Sequence, residues 1–272
     1  MAISSDEALG DRIGRLEADP AISLAAVDLT IAHPERLRRQ FDEVFYYFAL
    51  VEGEVAQNAV DIAAILPDLD EYDHRFLAVW SAHEVAHSAI FDAIRAELGL
   101  PSGAPSGPST AQRTFRAMGV LAQVGWLHDV LKLVYLARGA MHERLTLEAY
   151  TRLGAKLSFL GEHSLARTVT DPIRHQEAAH LGYYKAAAAT HRVGLSQAQR
   201  SAARLISKWT YAPVGAPGRR ALCGRVFTEI ADGDIGVLEP LEHIASDLLE
   251  DGRQWDAAFV RGAMNRCLAA RS

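Results

Sequence analysis

Three Glu-x-x-His pairs stand in this chain: Glu71/His74, Glu84/His87 and Glu177/His180. On a helix this spacing sets a carboxylate and an imidazole side by side on one face. Such a pair is half of a site for a divalent metal with mixed oxygen and nitrogen ligands, or it is an accident of composition. With 17 Glu and 11 His among 272 residues, chance alone readily supplies a pair, so the surroundings decide.

Glu71/His74 lies in PDLDEYDHRF, an acidic helix start where carboxylates are comfortable, and reads as solvated surface. Glu84 shares its helical face with Leu77, Trp80, His87, Ser88 and Phe91, and Glu177 shares its face with Ile173, His180, Leu181 and Tyr184. Burying an unpaired carboxylate is costly, so two such pairs on apolar faces require counter-charge. The same face test selects further carboxylates. Glu52 lies among Phe45, Phe48, Ala49, Val55, Ala56, Ala59, Ile62 and Leu66, whereas Glu54 shares a polar face with Gln57, Asn58 and Asp61. Glu143 lies among Leu136, Gly139, Ala140, Leu147 and Tyr150, small residues that leave room, whereas Glu148 lies with Arg144, Thr151 and Arg152. Glu52 and Glu143 are therefore expected to point inward, and Glu54 and Glu148 to face solvent.

In chain order the inward set is Glu52, Glu84 with His87, Glu143, and Glu177 with His180. One Glu from each of two helices and a Glu-x-x-His from each of two others is the ligand arrangement of ferritin-like di-iron bundles. Four carboxylates and two imidazoles suit two iron ions, with manganese also acceptable. Zinc suits the set less well, because it prefers fewer ligands around one ion.

The elements that must position these residues are helices. Apolar residues recur at helical spacing through windows rich in Ala, Leu, Glu and Arg, and no strand series is visible. Helices are expected at about 34–66, 70–98, 110–124, 127–160, 163–191, 196–210, 219–231 and 236–268. Breaks fall at LGLPSGAPSGPST (98–110) and YAPVGAPG (211–218). Pro172 predicts a kink or a new helix start, with Asp171 as its cap. The expected architecture is all-α and a single domain over 1–272: a ferritin-like four-helix core over about 34–191 with additional C-terminal helices over about 196–268.

WSAHEVAH (80–87), HERLT (142–146) and QEAAH (176–180) resemble the W-[ST]-A-x-E-x-x-H, x-E-R-x-T and D-E-x-[RK]-H segments of the soluble acyl-carrier-protein desaturases. The order and spacing of the ligand helices agree over about residues 40–190. The first ligand segment, LVEGEVAQN, carries little motif, so Glu52 rests on the face argument. The resemblance implies that Glu52, Glu84, His87, Glu143, Glu177 and His180 ligate iron. It also implies that Thr146, one turn past Glu143, acts near dioxygen as a catalytic residue; the alternative is a helix threonine bonding back to its own backbone. Two positions depart from the pattern. Gln176 replaces the acid before the last pair and His83 the acid before the first, so the groups that orient the ligand imidazoles differ. Related aminoarene N-oxygenases carry an extra His four residues before the last Glu; here that residue is Ile173, and His175 is on the wrong face.

These features point to an oxidoreductase that uses two ferrous ions and dioxygen as co-substrate. Its substrate would lie between helices against residues such as Phe48, Trp80, Phe91, Leu136, Leu147 and Tyr184. The resemblance implies an acyl chain on an acyl carrier protein, with reduced ferredoxin as electron donor, and Arg36, Arg38 and Arg39 could dock the acidic carrier. Alternatives are an N-oxygenase or hydroxylase of a small specialised metabolite, and a non-catalytic iron-binding or storage bundle. A homodimer is expected.

The net charge of −6 and the absence of a basic stripe argue against nucleic acid as partner. Cys223 and Cys267 form no CxxC pair and read as reduced buried thiols. The acidic N-terminus is unlike a signal peptide, and no apolar run is long enough for a membrane span, so a cytoplasmic protein is expected.

Overall fold

A computed structural model describes residues 5–66, 69–103, 125–249 and 257–271, which form helices and connecting turns with no strand among them. Four long helical segments carry the candidate ligands: α2 (Pro34–Gly53), α4 (Glu71–Glu97), α5 (Gly125–Phe159) and α7 (Arg174–Val193). They pack chiefly as two pairs, α2 against α4 and α5 against α7. Pro34 opens α2, where its missing N–H costs nothing. Asp70 caps α4 reciprocally with Asp73: the Asp73 N–H donates to Asp70 (2.9 Å) and the Asp70 N–H to Asp73 (3.3 Å).

The expected helix 34–66 is broken. It ends at Gly53 and resumes as α3 (Val55–Ile65), with Glu54 in the turn between them. The Glu54 N–H is shared between the Leu50 and Val51 carbonyls, so the hydrogen-bond ladder slips just after Glu52. Of the two alternatives expected at Pro172, a new helix start with Asp171 as cap is not what forms; the helix is instead interrupted, α6 (His163–Thr168) passing through a π-helical turn, Val169–Ile173, into α7. A wider turn accommodates the proline's bulk and its missing donor, and such turns concentrate at functional sites. Gly154 of α5 makes the close approach possible, since a Cβ there would lie 1.8 Å from a Thr170 methyl.

An N-terminal helix, α1 (Ser5–Ala18), lies outside the expected set. Leu9, Ile13 and Leu16 bury one of its faces, and it packs on α4 and α7. The C-terminal region comprises α8 (Gln197–Thr210), α9 (Arg220–Ala231), a 3-10 turn (Ile235–Leu238), α10 (Glu239–Leu249) and α11 (Phe259–Ala270). The expected helix 236–268 is thus two helices, and the expected helix 110–124 lies outside the described residues. The 211–218 break is the loop between α8 and α9, as expected. Cys223 and Cys267 are buried free thiols, brought together where α9 packs on α11. No described helix is long and apolar enough to cross a membrane.

Candidate metal centre

Each long helix turns its selected residue inward, and all six side chains are buried: Glu52, Glu84, His87, Glu143, Glu177 and His180. Ser88 pins the register of α4 on α2 by donating to the Ala49 carbonyl at 2.7 Å. Glu84, Glu143, Glu177 and His180 each offer one ligand atom within 4.8 Å of the others, a group that could hold a metal ion. His87 faces the opposite oxygens of the same two glutamates. Its Nδ1 lies 3.4 Å from Glu84 Oε2 and 3.1 Å from Glu177 Oε1. His180 Nδ1 lies 3.2 Å from Glu84 Oε1, 3.7 Å from Glu177 Oε2 and 3.7 Å from Glu143 Oε2. Glu84 and Glu177 therefore each present one oxygen to either imidazole. Glu52 stands beside Glu84 and outside the compact group of four.

Despite these short distances, Glu84 Oε2, Glu177 Oε1, His87 Nδ1 and His180 Nδ1 have no aligned hydrogen-bond partner, although all are buried. Buried polar atoms are ordinarily satisfied, so orphans of both donor types aimed at one another mark a place for a cation. A hard carboxylate set completed by imidazole nitrogens fits iron or manganese.

The electrostatics agree. Burial, then the neighbouring Glu84 charge, pushes the Glu52 carboxyl well above the usual carboxylate range, and burial, then Glu177, does the same to Glu143. Burial also opposes ionisation of Glu84, but Glu52, His180 and His87 outweigh it and hold Glu84 well below the usual range. Glu177 is likewise lowered, against burial and the Glu84 charge, by Glu143, His180 and His87. Burial works against protonation of the two imidazoles, yet the carboxylates raise His180 well above the ordinary histidine value and His87 to about 9. Without metal, the raised values of Glu52, Glu143, His87 and His180 all favour proton uptake against the cluster's negative charge.

The outer nitrogens of both imidazoles are tied, which fixes their tautomers. His87 Nε2 donates to Gln176 Oε1 at 2.9 Å, and the Gln176 amide donates to the Pro20 carbonyl at 3.0 Å. His83 Nε2 donates to the Asp19 carbonyl at 2.8 Å, which leaves His83 Nδ1 to accept from His180 Nε2 at 3.0 Å. Burial, then the His180 charge, lowers the His83 pKa and so favours this neutral acceptor. Both ligand imidazoles thus carry their proton on Nε2 and keep Nδ1 for the centre. Gln176 and His83 supply this positioning, and the backbone of Asp19 and Pro20, just after α1, holds them. That role was missed from the sequence, although Leu9, Ile13 and Leu16 stand at helical spacing and signal a buried N-terminal helix. Two aromatic donors complete the shell. Trp80 Nε1 donates to Glu143 Oε1 at 3.1 Å, and the Tyr150 hydroxyl donates to Glu52 Oε1 at 2.6 Å.

A cavity of about 270 Å³ opens on Glu52, Glu84, Glu143 and Glu177. Of the six residues expected to line a substrate site, only Trp80 and Tyr184 border it. Phe48 faces a smaller void on the other side of Thr146, Leu136 borders a separate pocket beside Lys132, and Phe91 and Leu147 are packed in the interior. The helical face was right for these four, but their side chains fill the core instead of lining the space. Tyr184 fits because its partner is glycine: a Cβ on Gly139 would lie 2.3 Å from its ring.

Thr146 lines the cavity wall one turn past Glu143. Thr151, Thr170, Thr210 and Thr228 each donate to the carbonyl four residues back, whereas Thr146 makes no such bond and keeps its hydroxyl for the cavity. Glu54 departs from expectation. It borders the cavity with its side chain 11% exposed and forms a two-pronged ion pair with Arg219. The polar face on which it sits is covered by the start of α9, a contact invisible to helical phase. Glu148 is also only partly exposed, held by Arg152 at 2.8 Å and Arg144 at 3.7 Å. Neither enters the cluster. Glu71 and His74 are exposed, as expected of a solvated pair, and Arg36, Arg38 and Arg39 are exposed on α2.

No protein-family model, no curated protein and no solved structure matches this chain.

Proposed function

We propose that the protein is a non-heme di-iron oxidoreductase built on a ferritin-like core, which uses dioxygen to oxidise an organic substrate. The observation that carries this reading is the set of orphaned inward atoms of α4 and α7, flanked by the buried Glu52 and Glu143 and set beside a cavity. Glu84, Glu143, Glu177 and His180, with His87 and Glu52 beside them, are the residues that would hold the metal ions. When bound, the metals supply the activation of dioxygen that side chains alone cannot provide.

The protein's own groups set the conditions for that chemistry. Gln176 and His83 hold the imidazoles at fixed angles through backbone carbonyls, and Trp80 and Tyr150 hold the single glutamates. Gln176 Oε1 and His83 Nδ1 are neutral acceptors, so the ligand imidazoles receive less negative charge than outer carboxylates would give them. Thr146 would donate or relay a proton in this reading, which its position in the cavity wall one turn past Glu143 supports. A substrate cavity against the ligands favours an oxidase over an iron store, which needs no such space.

After anaerobic ferrous loading, metal analysis should approach two irons per chain, and Glu84→Ala and Glu177→Ala should lose most of it. Unchanged iron in both variants would overturn the assignment. Product mass then separates the chemistries. Loss of two hydrogens means desaturation, as on a carrier-bound acyl chain fed by a ferredoxin-type donor, and gain of one oxygen means hydroxylation or N-oxygenation. Mineral formation with no organic product would favour storage.

A further inference from the structure

The cavity wall that faces the ligands carries a cation with no anionic partner. Arg138 lies on α5 five residues before Glu143, about 7.5 Å along the helix axis, and both border the same space. One of its guanidinium nitrogens donates to Thr210 Oγ1 at 2.5 Å, and the Thr210 hydroxyl passes its own proton to the Ile206 carbonyl at 2.7 Å. No carboxylate of the described residues lies within ion-pair distance of Arg138. The other cation on the wall, Arg219, is committed to both oxygens of Glu54. An arginine fork has five donors, and among the described residues only one of them is engaged. A partly buried guanidinium without a counter-ion is unfavourable, so its place in a cavity points to an anion that arrives with a ligand.

We propose that the substrate is a free carboxylic acid, its carboxylate bound by Arg138 and its apolar body lying between Arg138 and the metal centre. This rests on the oxidase reading for the word substrate, though not for the binding itself. Val51, Val55, Ile62 and Leu131 give the wall its apolar lining, and the volume suits a medium-length chain or a single substituted ring. A planar fork matches a carboxylate in two parallel hydrogen bonds, which would also fix which atom of the body meets the ligands. A carrier-tethered acyl chain fits less well, because its carboxyl is consumed in the thioester and leaves Arg138 without a partner. The exposed arginines expected to dock a carrier point the same way: Arg38 lies about 24 Å of helical rise before Glu54, which follows α2 and lines the cavity.

Calorimetric titration of the full chain, metal-free and again after anaerobic ferrous loading, tests this with hexanoate, octanoate, decanoate and benzoate, each against its matched alcohol. At least one acid should bind about tenfold or more tightly than its alcohol, the scale of a charged hydrogen-bond pair. Arg138→Met should remove that preference while leaving the alcohol's affinity and the melting temperature near the parent values. Arg138→Lys should restore part of it, since the charge returns without the fork. Arg219→Met should keep the preference. No acid preference across the series, or one that survives Arg138→Met, overturns the proposal. The oxidase reading fails by a different sign: acids bind through Arg138, yet iron-loaded protein consumes no dioxygen.

Discussion

Two buried clusters of charge share α4 and α5, and they are finished in opposite ways. Near the start of α4, Asp73 is 3% exposed and fully occupied. It pairs with Lys132, accepts from the Tyr183 hydroxyl at 2.9 Å and closes the cap with Asp70, while Lys132 also reaches Asp70 at 3.4 Å. Three turns along the same helix, Glu84 is equally buried but meets other carboxylates, with one of its oxygens orphaned. The first cluster closes on itself and welds α4, α5 and α7 together. The second waits for positive charge. Burial of an acid therefore does not identify a functional site; unsatisfied valence does.

Removing one member from each cluster should break the comparison most visibly. Asp73→Asn leaves Lys132 buried beside a neutral amide, and should lower unfolding free energy by about 3–5 kcal/mol without changing metal content. Burial and the Glu177 charge already disfavour ionisation of Glu143, so for Glu143→Gln denaturant titration should show a loss of no more than about 1 kcal/mol, or a gain. The same variant should bind much less iron. Equal destabilisation by both would mean that the clusters serve the same structural purpose.

The two clusters should also answer pH differently. In the metal-free protein His87 is raised from the ordinary 6.5 to about 9, so its stabilisation is complete below 6.5 and disappears as pH climbs through about 9. That window should cost on the order of a few kcal/mol of unfolding free energy. Lys132 is raised above 10.5, despite burial, chiefly by Asp73, and so contributes no slope in that range. Metal should reverse the trend, because the protons favoured on the raised His87 and His180 must leave as cations enter; a pH-stat should record proton release on loading. Release of none would show that the cluster holds no metal.

The smallest effect probes the outer tie. His83→Ala or Gln176→Ala frees one ligand imidazole from the N-terminal segment and should weaken ferrous affinity by about 10–100-fold at little cost to the fold. An unchanged affinity in both would mean that packing alone orients the imidazoles.

The inward phase of Glu52, Glu84, His87, Glu143, Glu177 and His180 was legible along the chain, because helical period and apolar neighbours are local properties. The same holds for the helices that carry these residues and for the breaks that begin after Glu97 and after Thr210; residues 104–110 of the first lie outside the described residues. The sequence by itself therefore determined an all-helical protein with ligand-type residues turned inward from four helices. It did not determine which side chains would be satisfied. Gln176 meets Pro20, His83 meets Asp19 and Glu54 meets Arg219 across separations of 156, 64 and 165 residues, and no periodicity encodes such encounters. The π turn at Pro172, the slip after Gly53 and the unpaired Arg138 likewise follow from how helices settle against one another. Tertiary packing decided which charges were neutralised and which were left open, because a buried charge is satisfied only by the groups that packing brings within reach.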